Sequence, residues 1–130
     1  LNHEIVYFIN NLGDITALNA NDGSLLWQTP TQNNLIYQKS FSLKNSDLII
    51  DNNSIYFSNN INEIFSINAK SGIIQWKQSF NSSLRPTIVE NLIFSISEEG
   101  YLFVIDQKNG IVIRITNGCS KIFFKSIENI

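Results

Sequence analysis

The residues that could carry chemistry in this 130-residue sequence are few and scattered. His3 is the only histidine and Cys119 the only cysteine, so neither a histidine-based catalytic triad nor a multi-histidine metal site can be assembled. A single cysteine also excludes an internal disulfide. Nothing basic except Lys121 lies near Cys119 in the sequence to activate its thiol, so we expect a structural cysteine.

The acidic residues do not point to a site either. Glu98, Glu99 and Asp106 form the nearest approach to an acidic cluster, and a calcium ion would need more oxygen ligands converging on one point. We interpret this segment as a solvated hairpin turn. Nine Lys and Arg against eleven Asp and Glu give a net charge of −2. With no basic run and no long apolar segment, the sequence argues against nucleic-acid binding and against direct membrane insertion.

The elements that must position these residues repeat along the chain. One pattern occurs three times without a gap, as VYFINNLGDITALNANDG at Val6 to Gly23, IYFSNNINEIFSINAKSG at Ile55 to Gly72, and IFSISEEGYLFVIDQKNG at Ile93 to Gly110. Each unit has an apolar run, a polar turn, a second apolar run ending in Asn or Asp, and a turn closed by glycine. Self-similarity at this period is typical of propellers and solenoids.

The repeated turns and runs predict strands. Asp22-Gly23, Ser71-Gly72 and Asn109-Gly110 supply residues that tolerate positive φ, as tight antiparallel hairpins require. The flanking runs are rich in Ile, Val, Tyr and Phe, and no window shows a sustained helical period. Runs such as IVYFI and SIYFS are apolar at successive positions, which predicts strands covered on both faces.

The sequence therefore predicts an all-β chain of β-propeller blades, each a four-stranded antiparallel sheet. We expect one domain with repeats at about residues 1–30, 46–80 and 85–117, and a tail, 118–130, leading to a further blade. The first repeat lacks its opening strand. The strands of the other two are predicted at Asp47 to Asp51, Ser54 to Asn59, Glu63 to Ala69, Ile73 to Gln78, Pro86 to Glu90, Leu92 to Ile96, Tyr101 to Asp106 and Ile111 to Thr116.

The repeat resembles a known family. The pattern VYF…ITALNANDGSLLW, with Trp27 four residues after Gly23, is similar to the pyrroloquinoline-quinone-like (PQQ-like) repeat. The second unit matches with Trp76, whereas the third departs from the pattern, because Arg114 stands in the tryptophan position and Gln107 replaces an alanine. In this repeat the tryptophan packs between neighbouring blades, and a large buried aromatic contributes strongly to stability.

The resemblance implies one of two functions. In quinoprotein alcohol and glucose dehydrogenases an eight-bladed propeller holds the quinone and a calcium ion, beside a vicinal Cys-Cys pair that one cysteine cannot supply. The BamB-type outer-membrane protein assembly lipoproteins bind no cofactor and act as protein-interaction platforms. The resemblance thus favours a noncatalytic scaffold for protein–protein interaction, periplasmic or anchored to a membrane and facing the periplasm. It implies no catalytic, cofactor-binding or metal-binding residue, and no binding of the quinone or of calcium.

Two alternatives remain open. The chain could be a fragment of a quinoprotein dehydrogenase whose catalytic residues lie outside these blades, or the extracytoplasmic sensor domain of a larger membrane protein. A vicinal cysteine pair in the parent sequence would favour the first, and a membrane helix followed by a signalling module the second.

A partner surface is predicted in the connection from Thr31 to Asn45. This loop is longer than the turn requires and carries four apolar or aromatic side chains, Leu35, Ile36, Tyr37 and Phe41.

The outer faces of the two terminal blades are a second predicted interaction surface. Three blades cannot close a ring, so we expect Ile5 to Ile9 and Leu102 to Ile105 to lose their cover on one side. We therefore expect the isolated chain to self-associate, or to pack on the rest of its propeller.

Overall fold

The fold of residues 4–31, 46–59, 63–80, 82 and 84–117 is described by a computed structural model. Within these ranges all regular secondary structure is β-strand. The strands are β1 Ile5–Ile9, β2 Ile15–Asn19, β3 Leu25–Thr29, β4 Ile49–Asp51, β5 Ser54–Asn59, β6 Glu63–Asn68, β7 Ile74–Ser79, β8 Thr87–Val89, β9 Leu92–Ile96, β10 Tyr101–Asp106 and β11 Val112–Asn117.

The strands form three separate antiparallel sheets, each a simple meander. The first sheet has the order β1-β2-β3, the second β4-β5-β6-β7 and the third β8-β9-β10-β11. The predictions of an all-β fold and of antiparallel sheets are confirmed, and within the described residues the first sheet has three strands. The observed strand ends lie within two residues of the predicted ones.

The second sheet lies between the other two, and β5 explains how. All six of its residues are buried. Ile55 and Phe57 pack with Ile15 of the first sheet, whereas Tyr56 packs with Ile93 of the third. Because successive side chains of a strand point to opposite faces, a strand covered on both faces is apolar at successive positions, as predicted from the run SIYFS.

The three glycine-closed turns are equivalent, but they are not the tight hairpin turns that the sequence predicted. Gly23, Gly72 and Gly110 have φ of 74°, 76° and 75°. In each turn the glycine N–H donates to the carbonyl of the Asn or Asp four residues earlier, at 2.8–2.9 Å. The residue before each glycine does not have a positive φ, because this longer turn needs left-handed backbone at one position only.

A β-bulge follows each turn and was not predicted. The pairing of β2 with β3 shifts between Ala17 and Leu18, and the same shift occurs in β6–β7 and in β10–β11. The extra residues in the outer strands are Leu26, Gln75 and Ile113. A bulge increases the local twist and re-aims the next side chain, and in the first two sheets that side chain is a tryptophan.

The exposure of the terminal sheets agrees with the sequence prediction on one side only. In β1, Val6 and Phe8 are 47% and 44% exposed, so the first sheet has a bare face as expected. In β10, however, Leu102 and Val104 are only 5% and 8% exposed. The prediction was wrong for this run, because β10 is an inner strand flanked by cross-strand neighbours on both sides, whereas β1 is an edge strand.

Candidate interaction surface

The joint between the first and second sheets is built around Trp27. Its indole Nε1–H donates to the carbonyl oxygen of Ala69 at 3.0 Å, and the hydroxyl of Tyr7 donates to the same oxygen at 3.0 Å. The two rings have centroids 6.0 Å apart and are tilted by 44°. Both side chains are half-buried, and burial raises the pKa of the Tyr7 phenol.

The joint between the second and third sheets repeats this geometry. The Trp76 Nε1–H donates to the carbonyl oxygen of Gln107 at 3.0 Å, and the rings of Trp76 and Tyr56 lie 6.1 Å apart at 40°. The two tryptophans thus fix each sheet to a backbone carbonyl of the next one. The packing of Trp27 and Trp76 between neighbouring sheets was expected from the sequence, although neither side chain is fully buried.

The turn glycines of the second and third sheets lie directly against these rings. A β-carbon built on Gly72 would meet Cε3 of Trp27 at 2.5 Å, and one built on Gly110 would meet Cδ2 of Trp76 at 2.5 Å. A β-carbon on Gly23, whose φ is the same, would meet nothing within 4 Å. Two constraints therefore require glycine at Gly72 and Gly110. One is the positive φ of the backbone, and the other is the tryptophan ring of the preceding sheet, which leaves no room for a β-carbon.

Gln107, which departs from the repeat pattern, has a structural role. Its side-chain Nε2–H donates to Oδ2 of Asp51 at 2.6 Å, linking the third sheet to the second. Gln107 is 7% exposed, so the hydrogen bond forms in a protected environment. In the sequence, Gln107 stood out only because it replaces the alanine of the other two repeats. The structure shows that its side chain adds a contact between two sheets.

We predict that Gln107→Ala lowers the free energy of unfolding by about 1–2 kcal/mol, the range for a hydrogen bond to a charged acceptor. Alanine occupies the equivalent position at Ala20 and Ala69, so the backbone accepts the change. Denaturant melts measure the difference, with Asn91→Ala at the exposed neighbouring turn as the control variant. A shift equal to that of the control would show that the bond to Asp51 contributes no net stability.

Other residues considered from the sequence form no chemical site in the described part of the chain. Asp106 caps its own turn, since its Oδ1 accepts from the backbone N–H of Lys108 and Asn109. Glu98 and Glu99 are exposed at the β9–β10 turn. Among the described residues no three His, Cys, Asp or Glu side chains could hold a metal ion together.

Several predicted residues lie outside the described ranges. They are His3, Cys119 and the candidate partner loop with Leu35, Ile36, Tyr37 and Phe41.

An open cleft of about 460 Å³ lies beside β1, between the first sheet and the segment that leads into β4. It is lined by Tyr7, Phe8, Ile9, Asn10, Asn11, Ser46, Asp47 and Leu48. In the other two sheets a first strand, β4 or β8, pairs with the strand equivalent to β1. In the described ranges no strand pairs with β1 on the side away from β2, and the cleft lies beside β1.

The outer strands β3, β7 and β11, with the turns before them, expose apolar side chains. The exposed fractions lie between 46% and 67% for Leu25, Leu26, Ile73, Ile111, Ile113 and Ile115. Single exposed apolar residues need no explanation, but a group of them on the outer strands and turns of three sheets indicates a surface that other molecules can cover.

Sequence reasoning missed the two tyrosines of the joints. Tyr7 and Tyr56 stand at the same place in the runs VYF and IYF, one repeat apart, so the repeat itself contained the signal. The Gln107–Asp51 bond had no such signal, because Asp51 lies 56 residues away in the chain.

Comparisons with known proteins agree with this architecture. The family model for the outer membrane protein assembly factor BamB matches residues 1–116. The BamB structure from Moraxella catarrhalis superposes with a TM-score of 0.62 at 22% identity, over 85% of this chain and 37% of that one. No curated protein matches the chain in sequence.

Two further structures show the same fold. A quinohemoprotein alcohol dehydrogenase from Pseudomonas putida HK5 gives a TM-score of 0.64 at 16% identity, covering 86% of this chain and 19% of that one. The computationally designed Ika8 protein gives 0.66 at 16% identity, covering 88% and 34%. The chain thus spans well under half the length of each of these three proteins, and its sheets correspond to propeller blades.

Proposed function

The chain belongs to the family of the outer membrane protein assembly factor BamB, and from this premise we propose that it is a noncatalytic propeller scaffold. In this proposal its blades bind other proteins that take part in outer membrane protein assembly. It acts in the periplasm, either free or attached to a membrane and facing that compartment. No helix in the described ranges is long and apolar enough to cross a membrane.

The observation that carries the proposal is the exposed apolar surface on the outer strands and their turns. Leu25, Ile73 and Ile111 are each about three-fifths exposed or more. They follow the glycine-closed turns of successive blades, whose positions are held by the tryptophan joints. A rigid set of repeated blades with apolar side chains at its rim supports binding of proteins, since protein interfaces have apolar centres and polar borders.

Depleting the protein in its source organism tests the proposal. We expect the abundance of outer membrane proteins to fall, and expression of the wild-type protein to restore it. A variant with Leu25→Asp and Ile73→Asp should fold, because both side chains are exposed, but should restore abundance poorly. The matched control replaces two exposed polar residues, Asn21→Asp and Ser71→Asp. Unchanged abundance on depletion, or full rescue by the Leu25→Asp and Ile73→Asp variant, would contradict the proposal.

Calorimetric titration distinguishes the dehydrogenase alternative. We expect neither pyrroloquinoline quinone nor calcium to bind the 130-residue chain. Saturable binding of either at micromolar concentration would favour a quinoprotein enzyme over a scaffold.

A further inference from the structure

The outer edge of the third blade differs from the edges of the other two blades. β11 is the last strand of its sheet, so its outer side presents backbone groups with no neighbouring strand in the described chain. Asp106 N–H donates to the carbonyl of Ile111, and in an antiparallel pair the inward-bonded residues alternate. Arg114 and Thr116 therefore bond inward to β10, and the N–H and C=O of Ile115 face outward.

The side chains along this edge are more apolar than those at the same places of the other outer strands. Ile115 takes the position of Gln28 in β3 and Lys77 in β7, and it is 56% exposed. Polar and charged residues, lysine above all, protect edge strands against pairing with other chains. β3 and β7 have such protection, and β11 lacks it at this position.

The charge on β11 also lacks a salt-bridge partner among the described residues. In the second blade the Nζ of Lys77 forms an ion pair at 3.1 Å with Oε2 of Glu63 on the adjacent strand. In the third blade Tyr101 stands where Glu63 stands in the second. Arg114 is exposed, and no salt bridge joins it to another residue of the described chain.

From these three observations we propose that the edge of β11 is a strand-addition site. Its occupant is an extended segment of a partner protein that alternates apolar and polar side chains and places a carboxylate against Arg114. The added strand pairs with the backbone of Ile115, while its apolar side chains cover Ile113 and Ile115. Strand addition draws affinity from main-chain hydrogen bonds and specificity from alternate side chains. The inference rests on the proposed scaffold function and names the chemistry of its partner.

A second copy of the chain fits this edge less well. If two β11 strands pair antiparallel about Arg114, the two guanidinium groups lie opposite each other, and like charges directly opposite are destabilising. If the pairing is centred on Ile115, each arginine faces Thr116 of the other copy and neither meets a carboxylate. An acidic, apolar segment of another protein can pair with the free edge of β11 and also place a carboxylate against Arg114.

Binding of a synthetic peptide tests the inference. The probe is a labelled peptide of alternating valine and threonine with one central aspartate, measured by fluorescence anisotropy against the 130-residue chain. We expect saturable binding, with the Ile115 amide among the resonances that shift in NMR spectra. Ile115→Lys should weaken binding about tenfold, and it should fold, because Lys77 occupies the equivalent place in β7. Ile50→Lys, which replaces a similarly exposed isoleucine on β4 away from this edge, is the matched control and should not change the affinity.

Charge exchange provides the second measurement. Arg114→Glu should weaken binding of the aspartate peptide about tenfold and should bind a peptide with central lysine instead, because like charges repel and opposite charges attract across the pair. Equal affinity of the aspartate peptide for the chain and for Ile115→Lys would overturn the inference. So would a dimer that Ile115→Lys dissociates, formed without any peptide binding. Either result would leave the scaffold function to the depletion experiment, which tests it separately.

Discussion

Gly110→Ala should lower the free energy of unfolding by about 2–5 kcal/mol, a large loss for a single methyl group at a turn. Left-handed backbone costs a non-glycine residue about 1–2 kcal/mol. The new β-carbon would also lie 2.5 Å from Cδ2 of Trp76, and overpacking of this kind costs about 1–3 kcal/mol. The ring cannot move away without losing its hydrogen bond to Gln107. Chemical denaturation followed by circular dichroism measures the change.

Gly23→Ala is the matched control, because Gly23 has the same φ and no atom near its added methyl group. Gly23→Ala should lower the free energy of unfolding only by the cost of left-handed backbone, about 1–2 kcal/mol. In a Trp76→Ala background the added cost of Gly110→Ala should fall to that of Gly23→Ala, since the two residues in contact are coupled. Equal losses for Gly110→Ala and Gly23→Ala in the wild-type background would contradict the proposed steric contact.

Trp76→Ala should destabilise the chain by about 3–5 kcal/mol, the range for removing a large packed aromatic side chain. The substitution removes the ring that lies against Gly110, the aromatic contact with Tyr56 and the hydrogen bond to Gln107. Because Trp76 is only half-buried, the loss should lie toward the lower end of the range. The midpoint of a urea or guanidinium melt reports it, provided that the slope stays constant.

Arg114→Ala is the control for the tryptophan variant. Arg114 occupies the tryptophan position of the third blade but is exposed, and exposed substitutions usually change stability by less than about 0.5 kcal/mol. A loss below about 1 kcal/mol for Trp76→Ala would show that the indole does not hold the second and third blades together, and would make it available to a planar ligand.

Much of the fold was predictable because the same order of apolar runs and glycine-closed turns occurs three times in the sequence. Runs that are apolar at successive positions predicted β5 and β10, and the glycines located the turns. The exact turn geometry was not predictable from Asp22-Gly23 and its equivalents, because such a dipeptide also suits a shorter turn. The hydrogen bond from the Gly23 N–H to the Asn19 carbonyl, which selects the longer turn, appears only when both strands are in register.

The interaction surface was harder to predict from the sequence than the fold was. The bare face at Val6 and Phe8 was predicted because three blades cannot close a ring. The burial of Leu102 depends on its position within the third sheet, which composition does not reveal. The bulge at Ile113, and the lack of a salt bridge to Arg114 within the described ranges, become visible only by comparing equivalent positions of three folded blades. The partner-loop prediction for Leu35 and its neighbours lies outside the described ranges and stays a prediction.

The contact of each tryptophan with the glycine of the following blade also has an evolutionary consequence. Two positions in different repeats, such as Trp27 and Gly72, therefore constrain each other's substitutions. A larger residue at the glycine position would clash with the indole, so we expect it to be accepted only after the tryptophan has been replaced. Where a repeat has lost the tryptophan, as the third has with Arg114, a repeat that followed it would need glycine for its φ alone. Neighbouring repeats should therefore diverge in a fixed direction along the chain, with each loss of the aromatic residue preceding the loss of the small one.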